Sequence, residues 1–115
     1  MRELRTRAEV DAALAGSGVI FKHSSRCPVS SDAYDEVAAF GLAHPDVTVG
    51  LLDVIASRPL SQYLVAATGI VHQSPQAIVV EDGTVRWHGS HYAINALALA
   101  RHASAGGEEP DDSGG

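Results

Sequence analysis

A single cysteine and a serine three residues further on, in Cys27-Pro28-Val29-Ser30, are the residues of this 115-residue chain best suited to thiol chemistry. A thiol reacts as its thiolate, so what matters is what stabilises the anion. The local sequence is Gly18-Val19-Ile20-Phe21-Lys22-His23-Ser24-Ser25-Arg26, followed by Cys27. It reads as an apolar strand, then a short polar turn, with the cysteine where the next helix begins. The first N–H groups of a helix are unpaired and carry partial positive charge, which favours a thiolate. Arg26 adds a neighbouring cation that lowers the thiol pKa further, and His23 acts the same way if it folds over the site. Ser30 takes the second place of a C-x-x-C redox motif. Its hydroxyl can donate to the Cys27 sulfur, but it cannot resolve a mixed disulfide. Pro28 suits the first helical turn because it has no N–H to leave unpaired. The plain alternative is that Cys27 is a small buried apolar residue.

The surrounding pattern supplies the elements that must hold this turn. Thr6-Arg7-Ala8-Glu9 fits a capping box, Val10, Ala13 and Leu14 follow at helical spacing, and Gly16 stops the run. Gly18 to Lys22 reads as a buried central strand. After the cysteine turn, Tyr34, Val37, Ala38 and Gly41 mark a helix face that ends at His44-Pro45-Asp46. Val47 to Asp53 is a second strand, parallel to the first because a helix crosses between them. Ser57-Arg58-Pro59 opens a third helix with Leu60, Tyr63, Leu64 and Ala67 as its stripe, closed by Gly69. Ala77–Glu81 and Thr84–His88 flank Asp82-Gly83, a strong hairpin signal. Ile94, Leu97, Ala98 and Arg101 suggest a last helix. The order α-β-α-β-α-β-β-α implies an α/β protein with a thioredoxin-like fold: a central mixed four-stranded sheet flanked by helices. Residues 1–104 are expected to form this domain and residues 105–115 a disordered acidic tail.

Composition narrows the function classes. The net charge is −6, and Glu108, Glu109, Asp111 and Asp112 supply four of the acids, so the chain without its tail carries −2. This argues against nucleic acid as a partner, which needs a basic face. No apolar run reaches membrane-spanning length, and the N-terminus has no apolar signal region. One cysteine makes no internal disulfide, which together with these features points to a reducing cytoplasm. Six histidines invite a metal reading. No pair has tight ligand spacing, so no metal site is expected. His88 and His91 read as structural, with His91 capping the last helix or bonding a loop, and His44 and His102 read as surface residues.

Gln73-Ser74-Pro75-Gln76 precedes the hairpin. Sequence alone favours a trans bond at Pro75. In a thioredoxin-like frame this is the place of a cis-proline beside the cysteine, where the backbone of Ser74 pairs with an extended substrate. The segment Phe21-Lys22-His23-Ser24-Ser25-Arg26-Cys27-Pro28-Val29-Ser30 resembles the active-site segment of the monothiol bacilliredoxins, the YtxJ-type proteins of bacillithiol-producing bacteria, where F-K-H-S-T-x-C-P-I-S is common. Val29 and Ser25 are mild departures. His72-Gln73-Ser74-Pro75-Gln76 resembles the family's H-x-S-P-Q, and Trp87-His88-Gly89-Ser90-His91 its W-x-x-S-H. The resemblance runs from about Gly18 to Leu97.

What the resemblance implies is thiol-disulfide exchange with bacillithiol as a low-molecular-weight co-substrate and no permanently bound cofactor. Cys27 and Ser30 are the expected catalytic pair, and Arg26, Pro28, Ser74, Pro75 and Lys22 the expected substrate-binding residues. The partners implied are bacillithiolated client proteins, with bacillithiol or a second redoxin as the resolving thiol. Bacillithiol carries a malate with two carboxylates, to which Arg26, and less directly Lys22 and Arg58, offer charge. Lys22 has the alternative of snorkelling from a strand end. Two other readings stand beside this one. A monothiol glutaredoxin-like iron–sulfur carrier resembles C-G-F-S at the site, and Pro28-Val29 departs from it. A thioredoxin-fold adaptor with a non-catalytic cysteine needs none of the thiol chemistry.

Overall fold

The computed structural model describes residues 1–26 and 28–103. The elements are β1 (Arg2–Glu3), α1 (Arg7–Ala15), β2 (Gly18–His23), α2 (Pro28–Ala43), β3 (Val49–Asp53), α3 (Arg58–Thr68), β4 (Gln76–Glu81), β5 (Thr84–Ser90), a 3₁₀ turn (His91–Ala93) and α4 (Ala96–His102). The strands form one mixed sheet in the order β1-β3-β2-β4-β5. β2 pairs parallel with β3 and antiparallel with β4, so it lies at the centre. The sheet therefore has five strands, not the four expected. The added one is the two-residue β1, which pairs parallel with β3 at Gly50 and Leu51. Two exposed charged residues give no periodic signal; only their backbone pairing makes them a strand.

Alternation along β2 divides the core between the two faces of the sheet. Val19 and Phe21 face α2 and α4, in a cluster with Val37, Phe40, Val79 and Leu99. Ile20 faces α1 and α3, with Val10, Leu52, Leu64 and Ile78. Local signals start and stop these elements. Thr6 Oγ1 accepts from Glu9 N–H at 3.1 Å while Glu9 Oε1 accepts from Thr6 N–H at 3.1 Å, a complete capping box. Gly69 ends α3 in the left-handed conformation, its N–H donating to Val65 O. Asp82 and Gly83 turn the hairpin with φ of 50° and 79°, as a two-residue hairpin loop demands.

Two helix faces differ from their expected phase. α2 buries Ser30, Ala33, Val37 and Phe40, while Tyr34 is on the exposed side. A serine counted as core shifts the stripe by one residue. Ile94 is buried but precedes α4, and Leu97 is exposed; the helix turns Leu99 inward instead. Asn95 sets that phase by capping the helix, its side chain accepting from Ala98 N–H at 2.8 Å. The expected acidic tail lies outside the described residues.

Candidate active site

Cys27 itself lies outside the described residues, but the elements on either side of it are described. β2 ends at His23, Ser25 and Arg26 form an exposed turn, and Pro28 opens α2. The cysteine thus stands in the chain between a central strand and a helix start, with Pro28 in the first turn.

Ser30 sits in the first turn of α2 with no solvent exposure. Its Oγ accepts from Ser24 N–H at 2.9 Å and lies 3.0 Å from His23 Nδ1. The serine thus ties the first turn of the helix back to the end of the strand. His23 packs between Phe21, with ring centroids 5.6 Å apart, and Tyr34, at 5.2 Å. Sequence reasoning gave His23 a role over the site; its role here runs through Ser30.

The Ser74–Pro75 peptide bond is cis and Pro75 is buried. Gln76 is the β4 partner of Lys22 on β2. That register brings Ser74 and Pro75 to the same end of the sheet as the cysteine turn. Pro75 O accepts from His91 N–H at 3.1 Å, so the bond that His91 makes to this loop comes from its backbone, at a positive φ of 55°. Ser74 Oγ is buried and finds no hydrogen-bond partner among the described residues. His44 and His102 are less free than the sequence suggests, since both are only half-exposed. His44 stacks on Phe40 at 4.8 Å and His102 on Trp87 at 4.9 Å.

Lys22 is the only lysine in the chain. It does not snorkel: it points to the α1/α3 side of the sheet with 1% exposure. Its Nζ donates to Gln76 Oε1 at 3.0 Å, and Gln76 Nε2 donates in turn to Val71 O at 3.2 Å. Burial lowers the amine's pKa from 10.5 to about 8, because desolvation penalises the charged form. Arg26 is exposed in the turn and Arg58 exposed in the first turn of α3. The sequence-predicted cations therefore do not form one cluster at the surface. Among the described residues there is no group of three histidine, cysteine or acidic side chains able to hold a metal ion, and no helix is long and apolar enough to cross a membrane.

A parallel β-α-β unit leading into an antiparallel hairpin, a strand–turn–helix around one cysteine and a cis-proline loop at the same sheet end define a thioredoxin-fold thiol redox protein. The sequence matches the monothiol bacilliredoxin BrxC family over residues 2–99, and the chain belongs to that family. Solved structures agree. A candidate oxidoreductase with a thioredoxin fold is 31% identical, with a TM-score of 0.80 over 88% of this chain and 91% of that one. Mitochondrial thioredoxin 3 from Saccharomyces cerevisiae, at 18% identity, covers 90% of this chain and 92% of its own with a TM-score of 0.72. A thioredoxin from Fasciola hepatica, at 20% identity, covers 89% and 99% with a TM-score of 0.68. These last two share the fold.

Proposed function

We propose that the protein removes bacillithiol from mixed disulfides on client proteins through Cys27. The observation that carries this reading is the pairing of a lone cysteine, just before the first residue of α2, with Ser30 where a dithiol redoxin has its second cysteine. The Cys27 thiolate attacks the bacillithiol sulfur of the mixed disulfide. A Cys27–bacillithiol disulfide forms, the client–bacillithiol disulfide breaks, and the client sulfur leaves as a thiolate that takes a proton from solvent. One disulfide replaces another, so the step needs no net oxidant or reductant. With no second thiol in the chain, resolution falls to an external one: bacillithiol, which departs as its own disulfide, or the cysteine of a second redoxin. Exchange is fastest when the attacking thiol's pKa lies near ambient pH.

In this reading Arg26 and the helix start favour the thiolate. Pro28 opens the helix without leaving an N–H unpaired, and Ser74 and Pro75 offer a backbone edge to the extended client chain. The family match supports the thiol chemistry. The departure of Pro28-Val29 from Gly-Phe weighs against an iron–sulfur carrier. The test is mass spectrometry after incubation with a bacillithiolated client, with Cys27→Ser as the control. The expected result is a bacillithiol adduct on Cys27 and release of the free client thiol. No adduct and no release overturns the proposal.

A further inference from the structure

Lys22 and Gln76 face each other across the β2–β4 ladder. Alternation puts both on the α1/α3 side of the sheet, next to the Ile20–Ile78 pair. Both side chains are buried, at 1% and 2% exposure. Lys22 Nζ donates to Gln76 Oε1 at 3.0 Å, and Gln76 Nε2 donates to Val71 O at 3.2 Å. Chemistry fixes the direction of this chain. An ammonium only donates, and a main-chain carbonyl only accepts. The Gln76 carboxamide offers both functions, so it satisfies its two neighbours in a single orientation. Turned over, it would set its NH₂ against the ammonium and its oxygen against Val71 O.

What this orientation holds is the loop between α3 and β4. Residues 69–75 belong to no helix or strand. Val71 is 74% exposed, so its side chain gives the loop no apolar anchor, and its carbonyl is the point of attachment. At the other end of the loop, Pro75 O accepts from His91 N–H at 3.1 Å. Gln76 follows Pro75 directly, so its side chain ties the start of the segment to its end. Ser74 and Pro75, the residues offered to the client, lie between the two. Stability does not account for a lysine at this position. Burying an ammonium costs free energy that an apolar side chain of similar volume would not. What Lys22 contributes is a donor with no acceptor character, and an apolar residue in its place would take that donor from Gln76 Oε1.

We propose that Lys22 is a positioning residue for client binding: by orienting the Gln76 carboxamide it holds loop 71–75 in the shape that presents the Ser74 backbone to the client. The inference rests on the reading that Cys27 exchanges with mixed disulfides on proteins. It takes Lys22 out of contact with the partner and gives it a role through Gln76. A loop fixed before binding has less freedom to lose when an extended chain docks along it, which favours affinity. The effect falls on client binding. A small reagent that needs only the thiol is insensitive to it.

The test compares the full chain with three variants. Lys22→Met removes the donor. Gln76→Glu keeps an acceptor for Lys22 but has no N–H for Val71 O. The double variant Lys22→Met/Gln76→Met replaces both partners by apolar groups, a change that need not cost stability. In each, amide hydrogen exchange at residues 71–74 is expected to quicken. The KM for a bacillithiolated client is expected to rise about fivefold, the equivalent of one net hydrogen bond. The kcat and the rate of Cys27 alkylation by iodoacetamide are expected to hold. The double variant is expected to lose no more than either single change, as two residues acting through one link do, and to unfold at no lower urea than the wild type. Unchanged exchange at residues 71–74, or an unmoved client KM in Lys22→Met or Gln76→Glu, would overturn the proposal. An alkylation rate that falls in step with client turnover would also overturn it, by placing the action of Lys22 at the thiol. If the variants loosen the loop and the wild type releases no client thiol, the exchange reading fails while the link from Lys22 to the loop stands.

Discussion

Ser30 Oγ and His23 Nδ1 lie 3.0 Å apart, across the junction between the central strand and the helix that follows the cysteine. The serine already accepts from Ser24 N–H at 2.9 Å, and it has one proton of its own to give. If Nδ1 is bare, that proton goes to the imidazole. If Nδ1 carries a proton, the serine accepts twice and its hydroxyl is free to donate elsewhere. The ability of Ser30 to support a thiolate therefore depends on which nitrogen of His23 is protonated.

A double-mutant cycle tests this coupling. Ser30→Ala is expected to raise the Cys27 thiol pKa, followed by ultraviolet thiolate absorbance. His23→Asn is expected to shift it in the wild type and leave it unmoved in the Ser30→Ala background. Additive effects of the two changes would remove the link. Ser30→Ala also leaves Ser24 N–H without its acceptor, so a stability loss of about 1–3 kcal/mol in urea unfolding is expected.

Ser74 gives the opposite sign of stability change. Its buried Oγ has no hydrogen-bond partner among the described residues, so removing it costs the free protein nothing and relieves a desolvation penalty. Ser74→Ala is expected to stabilise by about 1 kcal/mol. If the client completes this hydroxyl's bonding, exchange slows while unfolding moves to higher urea. A destabilised Ser74→Ala protein would show that the hydroxyl is satisfied in the free state.

Gly18 opens β2 at φ +150°, and a Cβ there would collide with Thr48 O. Both the dihedral and the contact exclude a side chain unless the start of the central strand moves. Gly18→Ala is expected to cost about 3 kcal/mol, read as a lowered urea midpoint with an unchanged slope. A midpoint within error of the wild type would mean that the strand start shifts at little cost.

The parts of this fold legible in the sequence are those fixed by local chemistry. Thr6 and Glu9 need only each other to cap α1, and Asp82-Gly83 needs only a positive φ to turn the hairpin. What sequence could not reveal depends on partners far along the chain. β1 exists through its pairing with Gly50 and Leu51. The phase of α2 depends on Ser30 finding Ser24 and His23, which lets a polar residue occupy the core side. Pro75 is a cis candidate only once the fold is assumed. Lys22 reads as a strand-end charge in contact with solvent, because nothing local announces that Gln76, 54 residues later, will be its partner.

That buried amine yields a pH-dependent prediction, and the absence of any other lysine makes it a clean one. The folded pKa is about 8 against an ordinary 10.5. Below about pH 8 the folded and unfolded chains both hold the proton, and the folded chain bears the full cost of burying the charge. Between these two values the unfolded chain binds more protons, so stability rises with pH across that window. Lys22→Met removes the charge and retains most of the volume. It is expected to stabilise the protein by about 1–2 kcal/mol near neutrality, the range in which an apolar residue can outdo a buried ion. The lost bond to Gln76 holds the gain to that size. The advantage is expected to shrink as pH rises from 8 towards 10.5, measured by urea unfolding of both proteins at each pH. The same amine gives a single side-chain resonance in lysine-labelled protein, and its titration midpoint should fall near 8. A midpoint at the ordinary lysine value, or a stability gap between the two proteins that does not change with pH, would show that the ammonium reaches water.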